Sequence, residues 1–111
     1  MNKSNILTYA FKVLQFKKGS KKMRVSVLYR SNSEQERSVI EFEKEFERRL
    51  GRSLEMLDVN TREGASMASL YDIMRYPAVL AISNEGSIIH SWDAAESMPL
   101  INEVSYYTIT N

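Results

Sequence analysis

Residues 76–92 read YPAVLAISNEGSIIHSW. Ala78 to Ile82 is an unbroken apolar run of five residues, the length and composition of a strand covered on both faces. Asn84, Glu85 and Gly86 follow as a tight turn, with glycine where a positive φ is needed. Ser87 to Trp92, SIIHSW, then returns as the second strand of a hairpin. Pro77 stands directly ahead of the first strand. Because the residue before a proline avoids the α region, any helix upstream must stop short of it.

Working back from that proline, Met67, Leu70, Tyr71 and Met74 make a helical stripe, and SLEMLDV (53–59) reads as a short buried strand. Before it, Val39, Phe42, Phe46 and Leu50 recur at steps of three and four, an amphipathic helix that Gly51 is suited to close. MRVSVLYR (23–30) is β-branched and aromatic, a strand of about six residues. Ser33 and Glu36, three apart at the helix start, have the spacing of a capping box. Downstream of the hairpin, Leu100, Ile101, Val104 and Tyr107 or Thr108 mark a closing helix, with Ser97 as N-cap and Pro99 in its first turn. The order from Met23 is β-α-β-α-β-β-α. Two parallel units joined by helical crossovers and then a hairpin imply a mixed sheet with helices on both faces.

Residues 1–22 are a separate segment. Ile6, Leu7, Ala10, Phe11 and Leu14 fall on one helical face, Ser4 can cap it and Gly19 can end it. The chain of 111 residues has a net charge of only +1, but the charge is unevenly spread. Residues 1–30 hold eight of the fifteen Lys and Arg and no acid, which leaves 31–111 with seven basic against fourteen acidic residues, net −7. A basic amphipathic arm is able to lie on a membrane surface or bind an anionic polymer, and its interleaved aromatics are of the kind that stack on single-stranded nucleic acid. The same spacing serves a helix packed on its own domain, and nucleic-acid binding is not expected. Lys12 interrupts the apolar stretch and no small-x-small cleavage site follows, so no secretory signal is expected and the cytoplasm is the default compartment.

The element order resembles the core of the thioredoxin fold. Tyr76–Trp92 is similar to that family's segment after the second helix, in which an apolar residue and a cis-proline lead into a strand, an x-x-Gly hairpin and the last strand. The resemblance spans about residues 23–108 and implies a thioredoxin-like three-layer α/β/α domain over residues 23–111, with a mixed four-stranded sheet. It places the family's W-C-x-x-C run on Asn32-Ser33-Glu34-Gln35-Glu36, give or take a residue. Ser33 then stands for the attacking thiol, Glu36 for the resolving one, and Ser26 for the buried acid, while Pro77 matches. The chain has no cysteine at all. Disulfide exchange is attack by a thiolate on sulfur, and a serine hydroxyl cannot replace it.

No other catalytic group takes over. The only histidine, His90, has no partner at ligand spacing, no Gly-x-Ser-x-Gly elbow activates a serine, and no phosphate-binding glycine loop occurs. Neither a metal site nor a cofactor is expected, and no catalytic residue is assigned. The resemblance points instead to a redox-inactive module that binds a protein or an extended peptide. Its candidate groove is Asn32, Ser33, Glu34, Gln35, Tyr76 and Pro77, where the backbone of Tyr76 can pair with an added strand; alternatively Pro77 serves the fold geometry alone. Two further readings are a scaffold acting through the basic arm, on a membrane or an anionic polymer, and a residual enzyme without cysteines.

Overall fold

The computed structural model describes residues 23–109, so the expectations for the arm, residues 1–22, lie outside the described residues. Seven elements follow one another: β1 (Arg24–Tyr29), α1 (Glu36–Leu50), β2 (Glu55–Asp58), α2 (Arg62–Leu70), β3 (Ala78–Ile82), β4 (Ile88–Asp93) and α3 (Ile101–Tyr106). They form a four-stranded sheet in the order β2-β1-β3-β4.

β1 alternates faces, and that alternation sorts the core into two layers. Val25 and Val27, with Val79 and Ala81 of β3, pack against Val39, Phe42 and Phe46 of α1 and Val104 of α3. Leu28, with Leu80 and Ile82, faces the other way, onto Ala68 of α2. β3 is buried along its whole length, as its unbroken apolar run requires. The α1 stripe falls where its period of three and four puts it, and Gly51 closes the helix in the left-handed region, at φ 67°, with its amide donating to the Glu47 carbonyl.

The strand read as buried over residues 53–59 is instead the edge strand β2, with Glu55 exposed and Met56, Leu57 and Asp58 half-buried, and three further expectations need correcting. First, only β1 and β2 are parallel; β3 runs antiparallel to β1, with Leu28 beside Ala78 and Arg24 beside Ile82. The chain leaves α2 and returns along residues 71–77 to the end of β1 where Tyr29 lies, so β3 enters from that end. A helix between two strands does not by itself make them parallel.

Second, the stripe Met67-Leu70-Tyr71-Met74 does not exist as one helical face. α2 ends at Leu70, leaving Leu70 72% and Met74 80% exposed, while Met67 and Tyr71 pack at the edge of the Leu28–Leu80 layer. The helix starts on Thr61, whose hydroxyl accepts from the Gly64 amide. It stops in a Schellman arrangement: Ile73 N–H donates to the Ala68 carbonyl and Asp72 N–H to that of Ser69, with Asp72 at φ 58°.

Third, α3 begins at Ile101 after Leu100, whose carbonyl accepts from Glu103 and Val104; Ser97 and Pro99 lie ahead of it.

The β3–β4 turn follows the sequence reading. Gly86 adopts φ 90° and its amide donates to the Ser83 carbonyl. The Tyr71 hydroxyl donates to the Gly86 carbonyl, tying the segment after α2 to this turn.

Candidate functional site

The loop after β1 is held by side chains that answer backbone amides. The Asp58 carboxylate, at the end of β2, accepts from the amides of Ser31 (3.1 Å) and Asn60 (2.9 Å). The Asn60 side chain returns donors to the Ser31 carbonyl and hydroxyl. Glu36 reaches back to accept from the Asn32 amide at 2.9 Å, which holds Asn32 at φ 61°. The expected capping box does not form, because the helix starts on Glu36 itself and Glu36 answers the amide of Asn32 instead of that of Ser33. The Ser33 hydroxyl does not accept from the helix start but donates to the Arg30 carbonyl at 2.6 Å, while the Ser33 main-chain carbonyl accepts from the Glu36 amide at 3.3 Å; Gln35 occupies the N-cap position with no side-chain hydrogen bond to the helix. The chain turns before the helix begins, and the Ser33 hydroxyl is used within that turn.

Opposite this loop lies the segment leading into β3. The Tyr76–Pro77 peptide is cis. Pro77 is buried, and its carbonyl accepts from the Ala94 amide at 3.0 Å. The Tyr76 hydroxyl donates to the Ile73 carbonyl at 3.1 Å, and Arg75 pairs with Asp93 at 2.8 Å. Tyr76 itself lies outside any strand and engages neither its amide nor its carbonyl with the described backbone.

Loop and segment enclose a pocket of about 120 Å³ lined by Arg30, Ser33, Gln35, Tyr76 and Pro77. Four of the six residues singled out in the sequence thus meet: Ser33, Gln35, Tyr76 and Pro77. Asn32 and Glu34 stand outside the lining, exposed on the loop. Sequence reasoning missed Arg30, whose guanidinium carbon lies 5.2 Å from the centroid of the Tyr76 ring. Its signal was a single basic residue directly after a strand, too common to single out.

Ser33 donates to a carbonyl, and no imidazole stands near it. His90 lies on β4, its ring 4.4 Å from Trp92 and 5.6 Å from Tyr107, centroid to centroid. Ser26, at the position the resemblance gives to a buried acid, is fully buried and donates to the carboxylate of Glu55, an exposed residue of β2. Among the described residues no group of three His, Cys, Asp or Glu is placed to hold a metal ion, and no helix is long and apolar enough to cross a membrane.

The Asp58 carboxyl is held below the usual carboxylate range, first by the Ser31 side chain, then by the Asn60 amide, with smaller help from the Ser31 amide and the Arg30 charge and against some desolvation. A lowered folded-state value means that the ionised group stabilises the fold above the unfolded value of 3.8, and that this contribution fades as pH falls through the folded value. The difference in urea midpoint between wild type and Asp58→Asn is expected to be constant from pH 7 to about pH 5 and to shrink below about pH 4. An equal difference across that whole range would remove the carboxylate from the loop's support.

Comparison with solved structures gives the same architecture. The chain superposes on reduced thioredoxin pre-protein from Schistosoma mansoni with a TM-score of 0.59 at 19% identity, over 84% of this chain and 82% of that one. For the C-terminal domain of Neisseria meningitidis DsbD in its reduced form the TM-score is 0.56 at 18% identity, over 90% and 93%. Thioredoxin-2, a component of malaria parasite protein secretion machinery, gives 0.56 at 15% identity, over 76% and 78%. No family model and no curated protein matches the chain. At such identities the likeness carries architecture and not activity. The chain has a thioredoxin-like fold, and it holds no thiol with which to attack a disulfide.

Proposed function

We propose that this domain is a redox-inactive binding module that takes an extended segment of another protein between the 30–35 loop and Tyr76–Pro77. The observation that carries the reading is the pocket where Ser33, Gln35, Tyr76 and Pro77 converge, beside a Tyr76 backbone that no described strand uses. An extended peptide supplies what such a backbone lacks, a complementary amide and carbonyl, and its side chain fills the adjoining pocket.

Selection of a displayed peptide library on the immobilised full chain, followed by titration of the selected peptides, tests this. Tyr76→Ala is expected to weaken binding by about tenfold or more while the far-UV circular dichroism stays native. Undiminished affinity in a folded Tyr76→Ala variant overturns the reading, as does insulin reduction above the buffer rate with dithiothreitol.

A second reading rests on the charge split, eight basic residues and no acid within residues 1–30. In it the arm contacts an anionic polymer or a membrane surface and the domain is a passive body. Deleting residues 1–22 separates the two: peptide binding survives the deletion in the first and all binding is lost in the second.

A further inference from the structure

Arg30 stands between two clefts. One is the 120 Å³ pocket against Ser33, Gln35 and Pro77. The other, about 360 Å³, lies on the far side and is walled mainly by Val59, Ala65, Ala68, Ile73 and Met74. Arg30 and Tyr76 line both. The Tyr76 hydroxyl is fixed on the Ile73 carbonyl, so the ring face that carries the guanidinium is itself held in place. An arginine stacked this way loses less freedom when it forms a bidentate contact.

The carboxylates near Arg30 are occupied. Asp58 accepts from the Ser31 and Asn60 amides, and Glu36 from that of Asn32. Arg24, Arg37, Arg48, Arg49 and Arg75 each have a carboxylate oxygen within 4 Å, whereas among the described residues Arg30, Arg52 and Arg62 have none, and of these three only Arg30 lines the clefts beside Tyr76. It is exposed, at a junction of clefts, and the Asp58 carboxylate acts on its charge only from beyond ion-pair reach. Asp72 is the other charged residue of the larger cleft and disfavours an acidic side chain there, so the larger cleft suits an apolar one.

Resting on the peptide-binding reading above, we propose that Arg30 makes the groove selective for an extended peptide with an aspartate or glutamate side chain. That carboxylate meets the guanidinium, and a neighbouring apolar side chain enters the cleft bounded by Ile73 and Met74. Charge complementarity supplies the discrimination, and the stacked ring supplies the geometry.

Three arrays of capped hexapeptides, identical except for Glu, Gln or Lys ahead of a fixed Leu and randomised elsewhere, are probed with the full chain. The Glu array is expected to bind about tenfold more tightly than the Gln array, and the Lys array least. Arg30→Gln is expected to bring the Glu array down to the Gln level, and Arg30→Lys to recover part of the difference, since it keeps the charge and loses the fork. If the Glu preference persists in Arg30→Gln, or Lys peptides bind best, the assignment of Arg30 fails while peptide binding stands. Binding by none of the arrays overturns both. Because Arg30 is exposed on a loop, these variants are expected to fold, and circular dichroism checks it.

Discussion

Gly64→Ala is expected to destabilise the domain by about 1–3 kcal/mol or more, the cost of forcing a methyl group into space that is already filled. An alanine for glycine inside a helix ordinarily stabilises, by roughly 0.5–1 kcal/mol, so the predicted sign is opposite to the usual one. The reason is a close approach of two backbones. Gly64 sits in the first turn of α2, and a Cβ there would overlap the Asp58 carbonyl and lie 2.8 Å from the Val59 nitrogen. These atoms cannot retreat freely. The Asp58 carbonyl accepts from the Thr61 amide and hydroxyl, and the Val59 amide donates to the Tyr29 carbonyl of β1. Urea unfolding of the variant decides the matter: a lower midpoint with an unchanged slope is expected, and a raised midpoint would mean that the helix does not crowd the end of β2.

Phe46→Ala carries the largest expected loss, about 3–5 kcal/mol out of a total of roughly 5–15 kcal/mol for a domain of this kind. Phe46 is fully buried in α1, its ring centroid 6.3 Å from that of Phe42, in the layer shared with Val27 and Val79. The substitution removes the ring and leaves a cavity that a sheet on one side and a helix on the other cannot close. Phe46→Leu keeps most of the volume and is expected to cost less than half as much. Guanidinium unfolding of the two variants gives the comparison. A Phe46→Ala loss below about 1 kcal/mol would place this ring at a yielding surface instead of in the core.

Much of the architecture was legible because it is written in periodic apolar residues. The unbroken run of β3, the three-and-four spacing of α1 and the two glycines with positive φ, Gly51 and Gly86, report on nearest neighbours in the chain, and there the local rule and the structure agree. Where a long-range contact competes, the local rule loses. The apolar spacing of Met67, Leu70, Tyr71 and Met74 suggested one long helix, but Asp72 takes the left-handed position usually given to glycine and the helix closes four residues sooner. Whether β3 runs with or against β1 depends on the path of residues 71–77, which no single-segment pattern encodes. The site shows the same division. Ser33, Gln35, Tyr76 and Pro77 were reached through a resemblance of order and register, whereas Arg30 becomes visible only once the Tyr76 ring is seen beneath it.

The segment 71–77 that forms one wall of the groove is moored at four points: Tyr71 to the hairpin turn, Ile73 to α2, Arg75 to Asp93 and Pro77 to Ala94. In the binding role proposed above, the strand-side half of the cleft is thus a finished mould before any guest arrives. In that role little ordering of this wall is left to be done on contact, and Tyr76 and Met74 are the side chains a guest would meet on it.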